Sequence, residues 1–292
     1  MTRRYKAILV GNGTMGKRHR SRFEACGVLF VAVVDSSEEF EGVANKLIDV
    51  DFAVIASPAI THNAYTKYFL ERNIPVFVEK PLATTGMEAQ ELVDLARKKD
   101  LLLFVAQSEC YNPIFLNFRK HFLEELKARN SGCEGVHLEF RREHRYSERC
   151  RDVDASLDLL VHDLSLFLML FRKDDIRILE RRASVDSVRL RVSIVSGEFR
   201  GVDADFWVNR NSDRDIRTIT VGLLRTEDAP QSNYTVSLAR YGEDGEIAHI
   251  PDSLENEHRF FLKLLAGACG QWGRRAAQSA ADCVKIAASL PF

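Results

Sequence analysis

Hydrophobic and polar residues alternate along the chain in two different ways, and the change comes near residue 112. In the first part, short apolar runs are separated by stretches with the apolar spacing of amphipathic helices. This alternation is typical of β-α-β units, which build a parallel sheet. The runs that predict strands are "KAILVG", "LFVAVVD", "DFAVIASP", "PVFVEKP" and "LLLFVAQS". The helical patterns between them are "GKRHRSRFEAC", "THNAYTKYFLERN" and "GMEAQELVDLARKKD".

The segment between the second and third of these strands is short. Residues 36–50 cannot hold a complete helix, strand and helix, because one crossover connection alone takes about 10–12 residues or more. We therefore expect an abbreviated sheet in this region, with one short helix around "VANKLID".

From residue 113 the pattern becomes that of a different domain. "SVRLRVSIVS" has apolar residues at every second position, as expected for a sheet with one face in water. Further strands are predicted at "GVHLEFRRE", "FRGVDADFWVNR", "DIRTITVGLLRT" and "NYTVSLARYG", and helices at "IFLNFRKHFLEELKAR", "DASLDLLVHDLSLFLMLF", "SLENEHRFFLKLLAGA" and "RAAQSAADCVKIAASL". We expect an α/β protein with a Rossmann domain, a doubly wound parallel sheet, over residues 1–112. Residues 113–292 are expected to form an α+β domain with an open, mostly antiparallel sheet.

Composition narrows the classes of partner. The 292 residues carry a net charge of −1, which gives no electrostatic reason to expect a nucleic-acid partner. No apolar run approaches the ~20 residues that span a bilayer, so no membrane partner is expected. The six cysteines form neither C-x-x-C nor zinc-finger spacing. We expect reduced thiols in a cytoplasmic protein without a metal.

The stretch "VGNGTMGKRHR" fits two nucleotide-binding patterns. Gly11 through Lys17 match the start of a P-loop, but that loop needs Ser or Thr next, and Arg18 cannot ligate Mg²⁺. The same residues match G-x-G-x-x-G, which lies between a predicted strand and a predicted helix. Asp35 ends the second strand, 19 positions after Gly16, as the dinucleotide pattern requires. The loop therefore predicts a dinucleotide site.

Each part of this pattern has a physical task. Gly11 allows a tight turn, Gly13 lets the backbone approach a pyrophosphate, and Gly16 packs the helix on the strand. Asp35 would accept a hydrogen bond from the ribose 2′-OH and repel a 2′-phosphate. This favours NAD, although Ser36 softens the preference and keeps NADP as the alternative. The expected cofactor-binding residues are Gly11, Asn12, Gly13, Thr14, Met15, Gly16, Asp35, Ser36, Ser57, Pro58, His62, Glu79 and Lys80.

Two further elements carry candidate chemistry. "VEKPL" ends a parallel strand, where ligands bind in doubly wound sheets, so Glu79 and Lys80 would border the cofactor cleft. In "DLLVHDLSLFLML", Asp158 and His162 are four apart and share one face of a strongly apolar helix. Both elements also have an ordinary interpretation, as a strand-end lysine and as a core histidine satisfied by an aspartate. The functional interpretation is an acid–base histidine oriented by Asp158.

Four segments in order, "GNGTMGKRH", "VIASPAITH", "VEKPL" and "LDLLVHDLSL", resemble the Gfo/Idh/MocA family of oxidoreductases. This resemblance implies that Lys80 is the active-site lysine and that Asp158 and His162 are the family's D-x-x-x-H pair. It also implies oxidation or reduction of a sugar or cyclitol with NAD or NADP, and a sheet face that builds homodimers or homotetramers. Within the family, "AQSECYNPIF" is similar to the E-R-F-N-P segment of UDP-N-acetylglucosamine 3-dehydrogenases, with Cys110-Tyr111 in place of Arg-Phe.

The resulting hypothesis is hydride transfer coupled to proton transfer on a sugar, nucleotide sugar or cyclitol. His162 takes the hydroxyl proton with the help of Asp158, and Lys80 hydrogen-bonds the reacting oxygen. Expected substrate contacts are Tyr111, Asn112, Arg151, Asp158 and His162, and no metal takes part. Two alternatives stay open: a family member with different chemistry, such as a biliverdin-reductase-like or glycoside-processing enzyme, and a non-catalytic NAD-binding sensor or scaffold.

Overall fold

The computed structural model describes residues 4–35, 49–129, 132–147, 152–223, 232–238, 252–267 and 270–289. These residues form two compact units. The first comprises the described parts of Met1–Ser108 and Leu254–Ile286, and the second those of Glu109–Ser253 and Ala287–Phe292. Each unit contains one β-sheet.

The strands are β1 (Lys6–Val10), β2 (Leu29–Val34), β3 (Phe52–Ile55), β4 (Val76–Glu79), β5 (Leu103–Ala106), β6 (Val136–Glu143), β7 (Ile176–Ala183), β8 (Ser187–Ile194), β9 (Asp203–Asn209), β10 (Ile216–Leu223) and β11 (Ser232–Ser237). The helices are α1 (Thr14–Ala25), α2 (His62–Glu71), α3 (Gly86–Lys98), α4 (Pro113–Lys127), α5 (Val161–Leu170), α6 (Ser253–Leu265) and α7 (Gly270–Ala288). None of the helices in the described ranges is long and apolar enough to cross a bilayer.

The first unit has a five-stranded sheet in the order β2-β1-β3-β4-β5, and every pairing is parallel. Strands β3, β4 and β5 are buried along their whole length, which explains their continuous apolar sequences, because a parallel sheet is covered on both faces. The predicted doubly wound parallel sheet is confirmed. The chain runs from β1 to β2 on one side and crosses to β3 on the other, so the strand order reverses between β1 and β3.

The predicted abbreviation of the sheet between β2 and β3 is confirmed for the described residues. β3 pairs directly with β1, on the side opposite β2. The short helix predicted around "VANKLID" lies almost wholly in residues 36–48, outside the described residues.

Helix α6 and most of helix α7 belong to the first unit, although both lie within residues 113–292. The ring centroid of Phe261 on α6 lies 5.0 Å from Phe52, 5.3 Å from Phe77 and 5.5 Å from Phe104, all on the parallel sheet. The amphipathic pattern shows that a helix will bury one face, but not which sheet it will cover. The tertiary packing therefore decides which sheet α6 covers.

The sheet of the second unit has the order β11-β10-β6-β9-β8-β7 and is antiparallel except for the pair β6–β9. The predicted open, mostly antiparallel sheet is confirmed. Strand β7 was not predicted, because "IRILERRA" is largely exposed and lacks a clean alternation. It forms the edge of the sheet, where charged residues are common since they discourage pairing with another chain.

Helix α5 covers the apolar face of this sheet. Phe167 on α5 packs edge-on against Phe140 and Phe206, at centroid distances of 5.9 and 5.3 Å. The predicted long helix "DASLDLLVHDLSLFLMLF" is instead a π-helical turn, Ser156–Leu160, followed by α5. Such turns are frequent at functional sites. This one contains Asp158, so the spacing of an α-helix does not describe how Asp158 and His162 are placed.

Candidate functional site

The loop after β1 is packed so closely that two of its glycines accept no side chain. Gly11 has φ +91°, and a Cβ there would lie 2.5 Å from the carbonyl oxygen of Ala56. A Cβ on Gly16 would lie 1.9 Å from the carbonyl oxygen of Gly11. Both distances are far below van der Waals contact, so glycine is required at both positions.

Gly13 has the opposite surroundings. A Cβ built on it would meet nothing within 4 Å, and Gly13 is the N-cap of α1 without a side-chain hydrogen bond to the helix. The first turn of α1 therefore presents its N–H groups and the positive end of the helix dipole to an open space. A pyrophosphate fits this cradle, and any side chain at Gly13 would fill it.

The cradle lies where a doubly wound sheet binds its ligand. Gly11 follows β1, and it packs against the backbone of Ala56 and Ser57, which follow β3. The strand order reverses between these two strands, and ligands bind at the carboxyl ends of the strands at such a point. Of the other predicted cofactor residues, Asn12 is in the loop, Thr14 and Met15 are in the first turn of α1, Asp35 is exposed after β2, and Ser57 and Pro58 follow β3. Ser36 lies outside the described residues.

His62 connects two loops at this edge of the sheet. Its Nδ1 lies 2.7 Å from the carbonyl oxygen of Pro81, and its Nε2 lies 2.9 Å from that of Ser57. The ring is 1% exposed. Sequence reasoning placed His62 among the cofactor contacts, but both ring nitrogens are used by backbone carbonyls. His62 therefore holds the loops after β3 and β4 together.

Glu79 and Lys80 have different surroundings, although both were expected at the cleft. Lys80 is half-buried, and the peptide bond between Lys80 and Pro81 is cis. The Glu79 carboxylate is instead buried, with Oε1 2.6 Å from Nε2 of His19 and Oε2 accepting the Lys80 N–H at 3.1 Å. Burial alone would raise the pKa of Glu79, but the hydrogen bond and charge of His19, helped by Lys80 and His62, lower it. Glu79 therefore stays ionised and supports the backbone of Lys80.

Asp158, in the second unit, has a cationic neighbour that the sequence did not indicate. Nη1 of the buried Arg210 lies 3.5 Å from Asp158 Oδ2 and donates to the carbonyl of Val153 at 2.8 Å. Nε of Arg210 donates to Asp186 at 3.0 Å. His162 is half-buried in the first turn of α5. The Asp158 carboxylate is thus held by Arg210, and no local pattern could have found a partner so distant along the chain.

A mostly buried ionic group includes Asp163, the residue after His162, and we call its members Glu109, Arg142, Asp163 and Arg217 the arginine cluster. Arg142 donates from Nε and Nη2 to Oδ1 of Asp163, at 3.0 and 2.8 Å, and from Nη1 to Glu109 at 3.2 Å. Nη1 of Arg217 lies 3.5 Å from the same Glu109 oxygen. Arg142, Glu109 and Asp163 are all buried. The cluster joins β6, β10, α5 and the turn before α4.

The pKa values in this cluster follow from its geometry. Burial opposes charge on Arg142, but the carboxylates of Asp163 and Glu109 outweigh burial and raise the pKa of Arg142. Burial likewise opposes the Glu109 charge, and Arg142 and Arg217 overcome it, so the pKa of Glu109 is lowered. Burial dominates at Asp163 and raises its pKa, because both bonds from Arg142 converge on Oδ1 while Oδ2 is buried with no hydrogen bond among the described residues.

The predicted substrate contacts have mixed outcomes. Asn112 is buried, accepts the Ile114 N–H at 2.9 Å and donates to the carbonyl of Leu238 at 3.1 Å. It caps α4, and both ends of its amide are hydrogen-bonded within the protein. Tyr111 is half-buried in the turn before α4, and Arg151 lies outside the described residues. In the described part of the chain, no group of three His, Cys, Asp or Glu side chains is arranged to hold a metal.

Comparison with known proteins matches this geometry. Residues 15–107 match the family described as "Oxidoreductase family, NAD-binding Rossmann fold", Gfo/Idh/MocA. The chain is 26% identical over 175 residues to UDP-N-acetylglucosamine 3-dehydrogenase of Acidithiobacillus ferrooxidans, covering 56% of this chain and 53% of that protein. It is 34% identical over 198 residues to inositol 2-dehydrogenase of Acidothermus cellulolyticus, covering 60% and 55%. The matched segments span about half the length of these relatives.

A solved structure of UDP-N-acetylglucosamine 3-dehydrogenase from Acidithiobacillus ferrooxidans has the same fold. The TM-score is 0.71 at 21% identity, and the match covers 98% of both chains. Residues 15–107 of the first unit are therefore similar to the NAD-binding Rossmann domain of the Gfo/Idh/MocA family, and the whole chain shares the fold of this solved structure.

Proposed function

We propose that the protein is an NAD(P)-dependent oxidoreductase that moves a hydride between nicotinamide and a hydroxyl or keto carbon of a sugar, nucleotide sugar or cyclitol. The open cradle at Gly13, at the N-terminus of α1 and at the strand-order reversal, carries the proposal. The names of the related UDP-sugar and inositol dehydrogenases support the substrate class. Asp35 favours NAD over NADP, since its carboxylate would repel a 2′-phosphate.

The chain's own side chains would supply binding and proton transfer. Bound nicotinamide supplies the hydride acceptor or donor. Lys80 would donate a hydrogen bond to the reacting oxygen and stabilise the charge that develops there. His162 would accept the hydroxyl proton, and Asp158, held by Arg210, would stabilise the imidazolium that results. Tyr111 and Arg151 are the proposed contacts to the rest of the substrate.

The test is a Lys80→Met variant assayed with a panel of sugars, cyclitols and UDP-sugars. We expect kcat to fall by about 10²–10³-fold, because one preorganised donor to the reacting oxygen is lost. Dinucleotide affinity, measured by fluorescence quenching, should stay within about threefold, because the cradle at Gly13 is unchanged. Normal turnover by the variant would refute the role of Lys80.

The wild-type assay also separates the alternatives. Dinucleotide binding without turnover on any member of the panel would support a sensor or scaffold and refute the proposed enzyme. Turnover of a linear tetrapyrrole or cleavage of a glycoside, without net oxidation of a sugar, would support a family member with different chemistry. Turnover of a UDP-sugar in preference to free sugars would narrow the substrate class.

We also propose a homodimer or homotetramer formed through the open face of the second sheet, in a reducing, cytoplasmic location. On this sheet the Arg189 guanidinium stacks 3.7 Å over the Trp207 ring, an arrangement well suited to an interface. Among the described residues, Cys110, Cys133 and Cys283 are not joined in disulfides, which is in keeping with a reducing compartment. Light scattering that gives the mass of a single chain at micromolar concentration would refute the assembly.

A further inference from the structure

A second buried group of titratable side chains lies in the first unit, and we call His19, Glu79, Glu257 and His258 the histidine cluster. His19, Glu257 and His258 are completely buried, and Glu79 is 9% exposed. They come from α1, β4 and α6, so the chain brings three distant segments together here. Buried charged and polar side chains are costly, so a set of four needs a reason.

His258, His19 and Glu79 form a continuous hydrogen-bonded chain that ends at the backbone of Lys80. His258 Nε2 lies 2.9 Å from His19 Nδ1, and His19 Nε2 lies 2.6 Å from Glu79 Oε1. The other oxygen of Glu79 accepts the Lys80 N–H at 3.1 Å. The side chain of His258 is therefore linked to the main chain of Lys80 through two intermediate groups.

The acceptors along this hydrogen-bonded series of side chains determine how many hydrogens the series contains. His258 Nδ1 is hydrogen-bonded to the carbonyl of Leu254, which can only accept, so Nδ1 carries a hydrogen. One more hydrogen lies between the two rings, and another between His19 and Glu79. Two neutral imidazoles hold two hydrogens, so the third balances the Glu79 carboxylate. The chain is an internally neutralised unit, which explains how it is tolerated in the core.

The charged groups around Glu79 act in the same direction. His19 on α1, His62 on α2 and the adjacent Lys80 all favour its ionised form. Glu257 on α6 faces it as a second carboxyl, and burial together with the Glu79 charge raises the pKa of Glu257 well above its usual range. Its Oε1 accepts the Gln107 N–H at 2.5 Å, while Oε2 is buried with no hydrogen bond among the described residues. These shifts favour the neutral form of Glu257 and the ionised form of Glu79.

We propose that His19 and His258 are positioning residues for Lys80, because they hold Glu79 in the orientation in which it anchors the Lys80 N–H. This inference rests on the proposed function, in which Lys80 donates to the reacting oxygen. Small displacements of a reacting group cost up to about 10²-fold in rate. Breaking the link at His258 should therefore lower kcat without removing any group that touches the substrate or the cofactor.

The experiment compares His258→Phe with His258→Gln in the full-length protein loaded with NAD. The phenyl ring keeps the contacts of His258 with Phe23 and Phe77, whose centroids lie 4.2 and 5.3 Å away, but cannot hydrogen-bond to His19. The glutamine amide can donate or accept in place of Nε2. We expect His258→Phe to lower kcat about tenfold with KM within about twofold, and to shift the pH profile of kcat. His258→Gln should restore kcat to within about threefold of wild type.

Hydrogen exchange supplies a readout that does not depend on turnover. The amide of Lys80 should exchange at least about tenfold faster in His258→Phe than in wild type or His258→Gln, while amides of β5 keep their rates. If His258→Phe leaves the exchange rate of the Lys80 amide and the pH profile of kcat unchanged, the positioning role is overturned. This holds even if Lys80→Met abolishes turnover. Normal turnover by Lys80→Met would instead refute the proposed function, whatever His258→Phe does. If His258→Phe does not fold, the same readouts on His19→Gln decide the question.

Discussion

Each of the two units has buried charged groups next to a proposed catalytic residue, but the charged groups differ in chemistry. In the first unit the histidine cluster supports Lys80 through Glu79. In the second unit the arginine cluster includes Asp163, the neighbour of His162 in sequence. The cation of the histidine cluster is an imidazolium in a series of hydrogen-bonded side chains. The cation of the arginine cluster is a guanidinium held between two carboxylates.

This difference determines how firmly each set of hydrogen bonds is defined. Each imidazole nitrogen of the histidine cluster can donate or accept, so the directions of its hydrogen bonds depend on where the hydrogens lie. Arginine only donates, and here its carboxylate neighbours raise its pKa further against the opposing effect of burial. The hydrogen bonds of the first unit can therefore change direction, whereas those of the second unit cannot.

The largest effect is expected from Arg142→Met. The substitution leaves Glu109 and Asp163 buried without their main cation, which typically costs about 3–5 kcal/mol. Urea denaturation at neutral pH measures the loss in free energy of unfolding. The two carboxyls would then have folded pKa values above their unfolded values, so the variant should be closest to wild type below the unfolded pKa. The deficit should grow as the pH rises.

Arg217→Met is the matched control. Arg217 contacts the same Glu109 oxygen at 3.5 Å, but half of its side chain is exposed. Exposed pairs contribute at most about 1 kcal/mol because water screens them. An equal loss in both variants would show that burial of the Arg142 pair is not what makes the arginine cluster important.

A smaller effect of opposite sign is expected from Glu257→Gln. The folded pKa of Glu257 lies above its ordinary value of 4.5, so its contribution to stability is complete below that value and is lost as the pH rises through the folded pKa. Glutamine can still accept the Gln107 N–H and stays neutral. We expect a Tm a few degrees higher than wild type at alkaline pH, because about 1 kcal/mol shifts Tm by about 2–4 °C.

Calorimetry over a pH series checks this prediction, with Glu255→Gln as the control on the same helix. Glu255 is exposed and pairs with Arg259 at 2.7 Å, so its replacement should change Tm little at any pH. A Glu257→Gln protein that is less stable than wild type at every pH would show that Glu257 is ionised in the fold. That result would also contradict the neutral state on which the description of the histidine cluster depends.

The features that depend on short-range geometry could be predicted from the amino-acid sequence. The tight turn at Gly11, the contact at Gly16 and the open N-cap at Gly13 follow from residues within one loop and its adjoining strand and helix. The parallel and antiparallel sheets follow from the periodicity of apolar residues, because that periodicity reflects how many faces of a strand are buried. The position of Lys80 after a parallel strand follows in the same way.

The tertiary structure alone decided which distant side chains meet. His19 and His258 are 239 residues apart, and Arg210 reaches Asp158 across 52 residues, with no local pattern to indicate either contact. The packing of α6 on the parallel sheet, rather than with the rest of 113–292, is also a long-range choice. Periodicity shows that a face will be buried, and the partner is selected only when the whole core packs. The residues expected to bind ligands could therefore be predicted from the sequence. The buried groups that hold those residues in place became visible only in the folded structure.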